Sequence, residues 1–127
     1  MRKEVVLKKL NPKRLFLTLL IILLVVVIFT YFDYLIHQLS EDYSVPPRYF
    51  PNKIIYGTLI GFITYLIINK QKLIVKSLIF SAVVSLLLQV RYFLEGYPLK
   101  FVLEFLIIHF VILLVVSLAL FKVFSTR

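Results

Sequence analysis

Seven polar or ionisable side chains lie within or beside the long apolar stretches of this chain. An ionisable group at the centre of a membrane-spanning helix costs roughly 2.5–3.5 kcal/mol, so such residues are candidates for a functional site. Two pairs with i, i+4 spacing share a helix face: an aspartate with a histidine, and an arginine with a glutamate. These residue types bind protons, cations or polar ligands, and they also neutralise one another. The candidates are Asp33, His37, Gln89, Arg91, Glu95, Glu104 and His109.

Three of the candidates belong to different predicted helices and are expected at nearly the same depth. Counting 1.5 Å per residue from the predicted outer helix ends places Asp33 and Arg91 about 6 Å in and Glu104 about 8 Å in. We therefore predict one shared network in the outer half of the bundle, with Gln89 slightly deeper. His109 is counted about 15 Å deep and points about 140° away from Glu104. The network is interpreted either as charge neutralisation alone or as a site for a proton, a cation or a polar ligand.

Cofactor and catalytic chemistry find little support in the sequence. A haem held by His37 and His109 is disfavoured, because the two histidines differ in counted depth by roughly 15 Å. A metal site built from Asp33, His37 and Glu104 has suitable ligand types for zinc, manganese or iron, but Arg91 at the same depth would repel a divalent ion. The chain has no cysteine, which excludes disulfides and thiolate metal sites. No nucleophile-elbow, zinc-protease or phosphate-loop motif is present, so we expect no cofactor, and a non-enzyme is favoured while enzymatic activity stays open.

These residues must be positioned by membrane helices. Hydrophobic residues make up 61% of the 127 positions, against about 45–50% in a soluble domain. About 20 apolar residues form a helix that crosses a bilayer, and short connections make consecutive helices antiparallel. The sequence therefore predicts an all-α, integral membrane four-helix bundle in one domain. The predicted spans are residues 15–38, 53–69, 73–95 and 99–123.

The charges predict the orientation of the bundle. One predicted side of the membrane carries eleven basic residues and one acid, and the other carries four and five. Because basic residues remain in the cytoplasm, both termini are predicted to be cytoplasmic and the protein to lie in the cell membrane. Residues 1–14 form a basic cytoplasmic segment, and residues 40–52 form a loop rich in proline and tyrosine on the other side. The net charge of +9 does not indicate nucleic acid, since the basic residues flank apolar segments.

Small residues predict how two of the helices pack. Gly57 and Gly61 form a G-x-x-x-G groove on the second span, and Ser77, Ser81 and Ser85 form a ridge on the third. Small residues allow close approach of membrane helices. We predict that the groove receives the ridge, although a second copy of the protein is an alternative occupant.

Three functions are compatible with these features. The first expectation is a small polytopic membrane protein that associates with itself or serves as an accessory subunit of a larger membrane complex. The second is a small transporter or channel with an outward-facing ionisable site around Asp33, Arg91 and Glu104. The third is a membrane enzyme or metal-binding protein that uses Asp33, His37 and Glu104. Under all three expectations, the partners of the protein are the lipid bilayer and other membrane proteins, including further copies of itself.

Overall fold

The structure, a computed structural model, describes residues 11–39, 41 and 45–124. The predictions for most of the basic segment, for part of the loop at 40–52 and for the last three residues lie outside the described residues. The described part is all-helical. Its helices are α1 (Pro12–His37), α2 (Tyr49–Ile68), α3 (Leu73–Leu94) and α4 (Leu99–Val123).

Each of these four helices is long and apolar enough to cross a membrane. This confirms the prediction of an all-helical chain with four candidate spans. Large apolar side chains cover the outside of the bundle, including Ile67, Leu86 and Ile107, which are at least half exposed. The helices are thus apolar on their outward faces as well as toward the core, as expected of spans that contact lipid.

Local sequence sets the helix ends. The Asn11 side chain caps α1 by accepting a hydrogen bond from the Lys13 backbone N–H at 2.9 Å. Arg48 has a left-handed backbone (φ 55°) that separates the proline-rich loop from α2. Helix α2 therefore begins at Tyr49, earlier than the predicted span at 53–69, and Pro51 is accommodated in its first turn, where backbone N–H groups need no helical partner. Gly96, with φ 93°, ends α3 in a conformation that favours glycine.

The four helices form a closed ring around one core. Each helix contacts the next along the chain, and α1 also contacts α4. Buried positions recur every three or four residues, so each helix turns one face inward. The buried core consists of Ile22, Val25, Val26 and Phe29 from α1, Tyr65 and Ile68 from α2, Phe80, Val84 and Leu88 from α3, and Leu113, Val116 and Phe121 from α4.

The glycine face of α2 packs against α1 at Gly57 and against both α1 and α3 at Gly61. A Cβ atom added at Gly57 would lie 3.0 Å from a methyl carbon of Val26. At Gly61 it would lie 3.0 Å from the ring of Phe80 and 3.1 Å from Ile22. The prediction that this groove receives the serines of α3 was therefore wrong. The same contacts cover the face within one chain, which argues against a second copy as its occupant.

The serines of α3 are buried, and Ser81 contacts α4 instead of the glycines. The Ser81 hydroxyl lies 3.4 Å from that of Ser117 in α4, and Ser77 and Ser85 are equally buried. Phe80, next to Ser81 in sequence, fills the space opposite Gly61. A rotation of 100° per residue is enough to send neighbouring side chains to different helices.

Candidate functional site

The carboxylate of Asp33 lies at the centre of a cluster of titratable side chains. We call this cluster the Asp33 centre: it consists of Asp33, His37, Tyr49, Lys53 and His109. The Tyr49 hydroxyl donates to Asp33 Oδ2 at 2.5 Å, and Lys53 Nζ donates to the same oxygen at 2.6 Å. Asp33 is 0% exposed and Lys53 is 1% exposed. A charge-assisted hydrogen bond of this length, away from water, is among the strong ones.

Two histidines complete the cluster. His37 Nε2 lies 3.2 Å from Asp33 Oδ2, and His109 Nε2 lies 3.1 Å from Oδ1. His109 Nε2 is also 2.9 Å from Lys53 Nζ, with hydrogen-bond alignment. Its contact with Oδ1 is close but lacks that alignment, so Oδ1 has no hydrogen-bond partner among the described residues. His109 Nδ1 likewise has no hydrogen-bond partner among the described residues.

Helix periodicity places these residues on inward faces. Asp33 follows the buried Phe29 by four residues and precedes His37 by four on α1. On α2 the buried residues Tyr49, Lys53 and Gly57 are likewise four apart. Helices α1 and α2 approach closely at Gly57, because no Cβ separates them there. This approach brings Lys53 within reach of Asp33.

Aromatic rings surround the charged groups. His37 stacks on Phe105 of α4, with ring centroids 4.2 Å apart and planes 8° from parallel. Rings around the Lys53 ammonium stabilise a cation through their negative faces and exclude water. The lysine Nζ lies 4.7 Å from the ring centroid of Tyr49 and 5.5 Å from those of Phe29 and Tyr92. Tyr92 belongs to α3, so all four helices line the Asp33 centre.

The geometry limits where protons can be. Two nitrogens 2.9 Å apart cannot both point a proton at each other. Lys53 as an ammonium therefore requires an unprotonated Nε2 on His109, and a protonated Nε2 requires a neutral lysine. Opposite charges on Lys53 and Asp33 already cancel, so the two imidazoles and the phenol exceed what neutralisation needs. The arrangement can hold one proton in alternative positions.

Arg91 does not join the cluster. Its Nε lies 3.0 Å from Glu95 Oε1, an i, i+4 pair, and its guanidinium stacks over Tyr56 at 4.1 Å. The prediction that Arg91 shares one network with Asp33 was wrong, because Arg91 lies two residues, or about 200°, beyond the buried Gln89 on α3. The nearby phenol of Tyr97 has its pKa raised, first by burial and then by the Glu95 carboxylate.

Glu104 is also outside the cluster. It faces Lys100 at 3.9 Å, and that lysine side chain is 88% exposed. A metal site that combines Asp33, His37 and Glu104 is therefore not formed. In the described ranges no group of three or more histidine, aspartate or glutamate residues could hold a metal ion. Next to the Asp33 carboxylate, Lys53 Nζ occupies the position that a metal cation would need.

Gln89 and His109 are both buried, and the level predicted for His109 relative to Asp33 was wrong. The Gln89 amide donates to the Val102 carbonyl at 2.8 Å. His109 contacts Asp33 although its counted depth was about 9 Å greater. The count assumed helices with level ends, whereas α4 must extend beyond the end of α1 for the contact to form.

Lys53 and Tyr49 were not identified as site residues from sequence. Lys53 was assigned to the start of the second span, and Tyr49 to the loop at 40–52. One signal was present: the four-residue step between Gly61 and Gly57 continues back to Lys53 and Tyr49. Residues at this spacing share a helix face, so the lysine could have been placed on the inward side.

Comparison with known proteins gives no further guidance. No protein-family model matches the chain, and no match is found among curated proteins or solved structures. The function is therefore argued from the side chains of the Asp33 centre and from the helices that hold them.

Proposed function

We propose that this protein is a multi-pass membrane protein that binds protons at the Asp33 centre and moves them across the membrane, as a small transporter or channel. One observation carries the proposal: a buried carboxylate is contacted by four other titratable side chains, at 2.5–3.2 Å. These distances lie in the range of hydrogen bonds. His109 joins the cluster through its aligned contact with Lys53, and protons move along hydrogen bonds.

Energetic cost argues against a purely structural role for the whole cluster. Replacement of a buried ion pair by apolar residues is often neutral or stabilising by about 1–4 kcal/mol. A bundle stabilised only by packing has no need for such a pair. It has still less need for two imidazoles and a phenol around it, since each adds polar atoms that must be satisfied.

The size of the centre favours a proton over a larger solute. The Asp33 carboxylate and the Lys53 ammonium are in direct contact, and aromatic rings lie against both histidines and the lysine. A proton occupies no additional volume in such a packed site. It can enter at His37, the last residue of α1, pass to the carboxylate and lysine, and leave through His109. Each step breaks one N–H or O–H bond and forms another, so no co-reactant is needed.

The membrane topology is part of the proposal. Loops of four residues join α2 to α3 and α3 to α4, which favours antiparallel neighbours. We define the Asp33 end of the bundle by the Asp33 centre and the Lys76 end by the buried Lys76 of α3. The positive-inside rule favours a cytoplasmic Lys76 end in the cell membrane, with both termini inside. Six described cations belong to that end: Lys13, Arg14, Lys70, Lys72, Lys76 and Lys122.

Proton flux into liposomes tests the proposal. Purified protein is reconstituted with a pH-sensitive dye inside, and a potassium gradient with valinomycin drives proton entry. We expect flux with the wild type and loss of flux to the level of empty liposomes with Asp33→Asn. Glu95→Gln is the matched control, because it makes the same carboxylate-to-amide change in a half-exposed pair outside the centre, and it should retain flux. Absence of flux in the wild type would refute the proposal.

The second candidate function is that of a self-associating protein or accessory subunit. A specific feature favours it: an apolar groove runs along the outside of α1 and α2. The Thr58 hydroxyl borders this groove and has no hydrogen-bond partner among the described residues. A helix of a second chain would supply both apolar cover and an acceptor. The groove is lined by Leu19, Leu23, Ile54, Ile55, Thr58, Leu59 and Phe62.

Cross-linking distinguishes this candidate from a protein that acts alone. Leu23→Cys or Leu59→Cys places one cysteine in each copy of the otherwise cysteine-free chain, and disulfides between copies are induced by oxidation in native membranes. Self-association at the groove predicts covalent dimers from these variants and none from Leu86→Cys on the exposed face of α3. Monomers from all three variants would count against the groove as an interface between copies.

A further inference from the structure

Three buried side chains of the Asp33 centre contact one another pairwise. Lys53 Nζ lies 2.6 Å from Asp33 Oδ2 and 2.9 Å from His109 Nε2. The same His109 nitrogen lies 3.1 Å from Asp33 Oδ1. The three residues belong to α2, α1 and α4, and none is more than 1% exposed. Each of the two nitrogens therefore contacts the other nitrogen and one oxygen of the same carboxylate.

The alignment at His109 Nε2 indicates where the protons lie when the lysine is charged. The contact between this nitrogen and Lys53 Nζ has hydrogen-bond geometry, whereas Asp33 Oδ1 has no hydrogen-bond partner in the described part of the chain. A lysine ammonium can only donate. His109 Nε2 then accepts from the lysine, and the single proton of the neutral imidazole is on Nδ1.

The same contact allows one proton to change sides. An N–H bond of Lys53 breaks and an N–H bond forms at His109 Nε2, so the lysine becomes neutral and the imidazole becomes an imidazolium. The total charge of the three side chains is unchanged, and no co-reactant is needed. The new Nε2–H lies beside Asp33 Oδ1, and a small rotation of the imidazole gives this oxygen the donor that it lacks before the transfer.

The carboxylate is placed to stabilise both states. Opposite charges in contact interact strongly in a buried site, and Asp33 offers Oδ2 to the lysine and Oδ1 to the histidine. Its Oδ2 is held by the Tyr49 hydroxyl at 2.5 Å and lies 3.2 Å from His37 Nε2. Tyr92 of α3 faces the lysine with its ring. None of these neighbours is a carboxylate, so Asp33 supplies the negative charge in either state.

We propose that the proton handled by the Asp33 centre passes directly from Lys53 Nζ to His109 Nε2, and that Asp33 stays ionised during this step and contacts whichever nitrogen carries the positive charge. This inference rests on the proposed proton transport and names the groups that perform one step of it. Lys53 and His109 bind the moving proton. Asp33 is a positioning residue for this step, because it aligns the two nitrogens and stabilises the charge on each.

Lys53→Arg tests the step in the liposome assay, because it keeps a positive charge beside Asp33 but holds its proton more tightly. The reference pKa of arginine is about 12.5 or higher and that of lysine about 10.4, so the deprotonated fraction is at least about 100-fold smaller. We expect flux to fall by at least that factor. Lys76→Arg is the matched control: it makes the same change in a second buried lysine, which packs against Tyr65 and Phe121 outside the Asp33 centre, and it should retain flux.

Nitrogen NMR of the histidines provides a second readout. ¹⁵N spectra of histidine-labelled protein in lipid bilayers show which imidazole nitrogens carry protons. The chain has two histidines, so the signals of His109 are those that remain in His37→Gln. In the wild type Nδ1 of His109 should be protonated, because it keeps its proton before and after the transfer. In Lys53→Arg, Nε2 of His109 should be unprotonated, because the permanent cation donates to it.

The outcomes separate the step from transport itself. Wild-type flux in folded Lys53→Arg, or an unprotonated Nδ1 on His109 in the wild type, overturns the transfer between Lys53 and His109 and leaves transport by the Asp33 centre standing. If Lys53→Arg does not fold, the spectra decide the question, since they require no change at the lysine. Absence of flux in the wild type overturns transport by the Asp33 centre and this step with it.

Discussion

Removal of one charge from the Asp33 centre has a large expected effect on stability. Lys53→Met leaves the Asp33 carboxylate at 0% exposure without the ammonium that lies 2.6 Å from it. Loss of one partner from a buried ion pair costs about 3–5 kcal/mol, because the remaining charge is uncompensated. Asp33→Asn should cost a similar amount, since it leaves the lysine without an anion.

The double variant Asp33→Asn/Lys53→Met removes both charges together. Its free energy of unfolding should fall by no more than that of either single variant, which makes the coupling energy at least about 3 kcal/mol. The free energies are measured by equilibrium unfolding in detergent micelles with increasing SDS, followed by circular dichroism.

A second pair in the same chain provides the matched control. Lys100 and Glu104 lie 3.9 Å apart, with the lysine side chain 88% exposed. Exposed i, i+4 pairs contribute about 0.3–0.5 kcal/mol, so the Lys100→Met/Glu104→Gln cycle should give a coupling of that size. Equal couplings for the two pairs, or additive effects at Asp33 and Lys53, would refute the assignment of a buried charge pair.

Three further predictions use the same unfolding assay. Tyr49→Phe removes the hydroxyl that donates to the carboxylate and should cost about 1–3 kcal/mol; an unchanged free energy would contradict the hydrogen bond. Gly61→Leu should cost more than about 1–3 kcal/mol, because a Cβ alone would already lie 3.0 Å from the Phe80 ring, whereas Ile63→Leu on the exposed side of the same helix should be neutral. Arg91→Gln should cost less than about 1 kcal/mol, since its side chain is 33% exposed; a loss as large as that of Lys53→Met would show that the arginine neutralises the core.

Local patterns predicted the elements of this structure well. Long apolar runs identified four helices, because a helix satisfies its own backbone within one segment. The i, i+4 relations of Asp33 with His37 and of Arg91 with Glu95 also appear as contacts in the structure, since helix geometry alone brings such residues together.

Contacts between helices were predicted less well. They depend on the rotation of each helix about its axis and on its shift along the axis. A count of depth from helix ends separated His109 from Asp33, although the two side chains touch. It also grouped Arg91 with Asp33, because depth says nothing about direction around the helix. The predicted contact of Gly57 and Gly61 with the serines failed for the same reason. Val26, Ile22 and Phe80 fill the groove instead, and the sequence did not rank these neighbours against the serines.

Stability and flux together separate the two explanations of the buried charge pair. If Asp33 and Lys53 only neutralise each other, the Asp33→Asn/Lys53→Met variant keeps its fold and whatever transport the wild type has, because nothing else depends on the charges. If the centre carries protons, the same variant keeps its fold and loses flux, since Asn and Met cannot accept and release a proton at pH 7. The five-residue cluster favours the second result: neutralisation accounts for one carboxylate and one ammonium, but it gives no reason for His109 to lie 2.9 Å from that ammonium, where its ring must compete for the same proton.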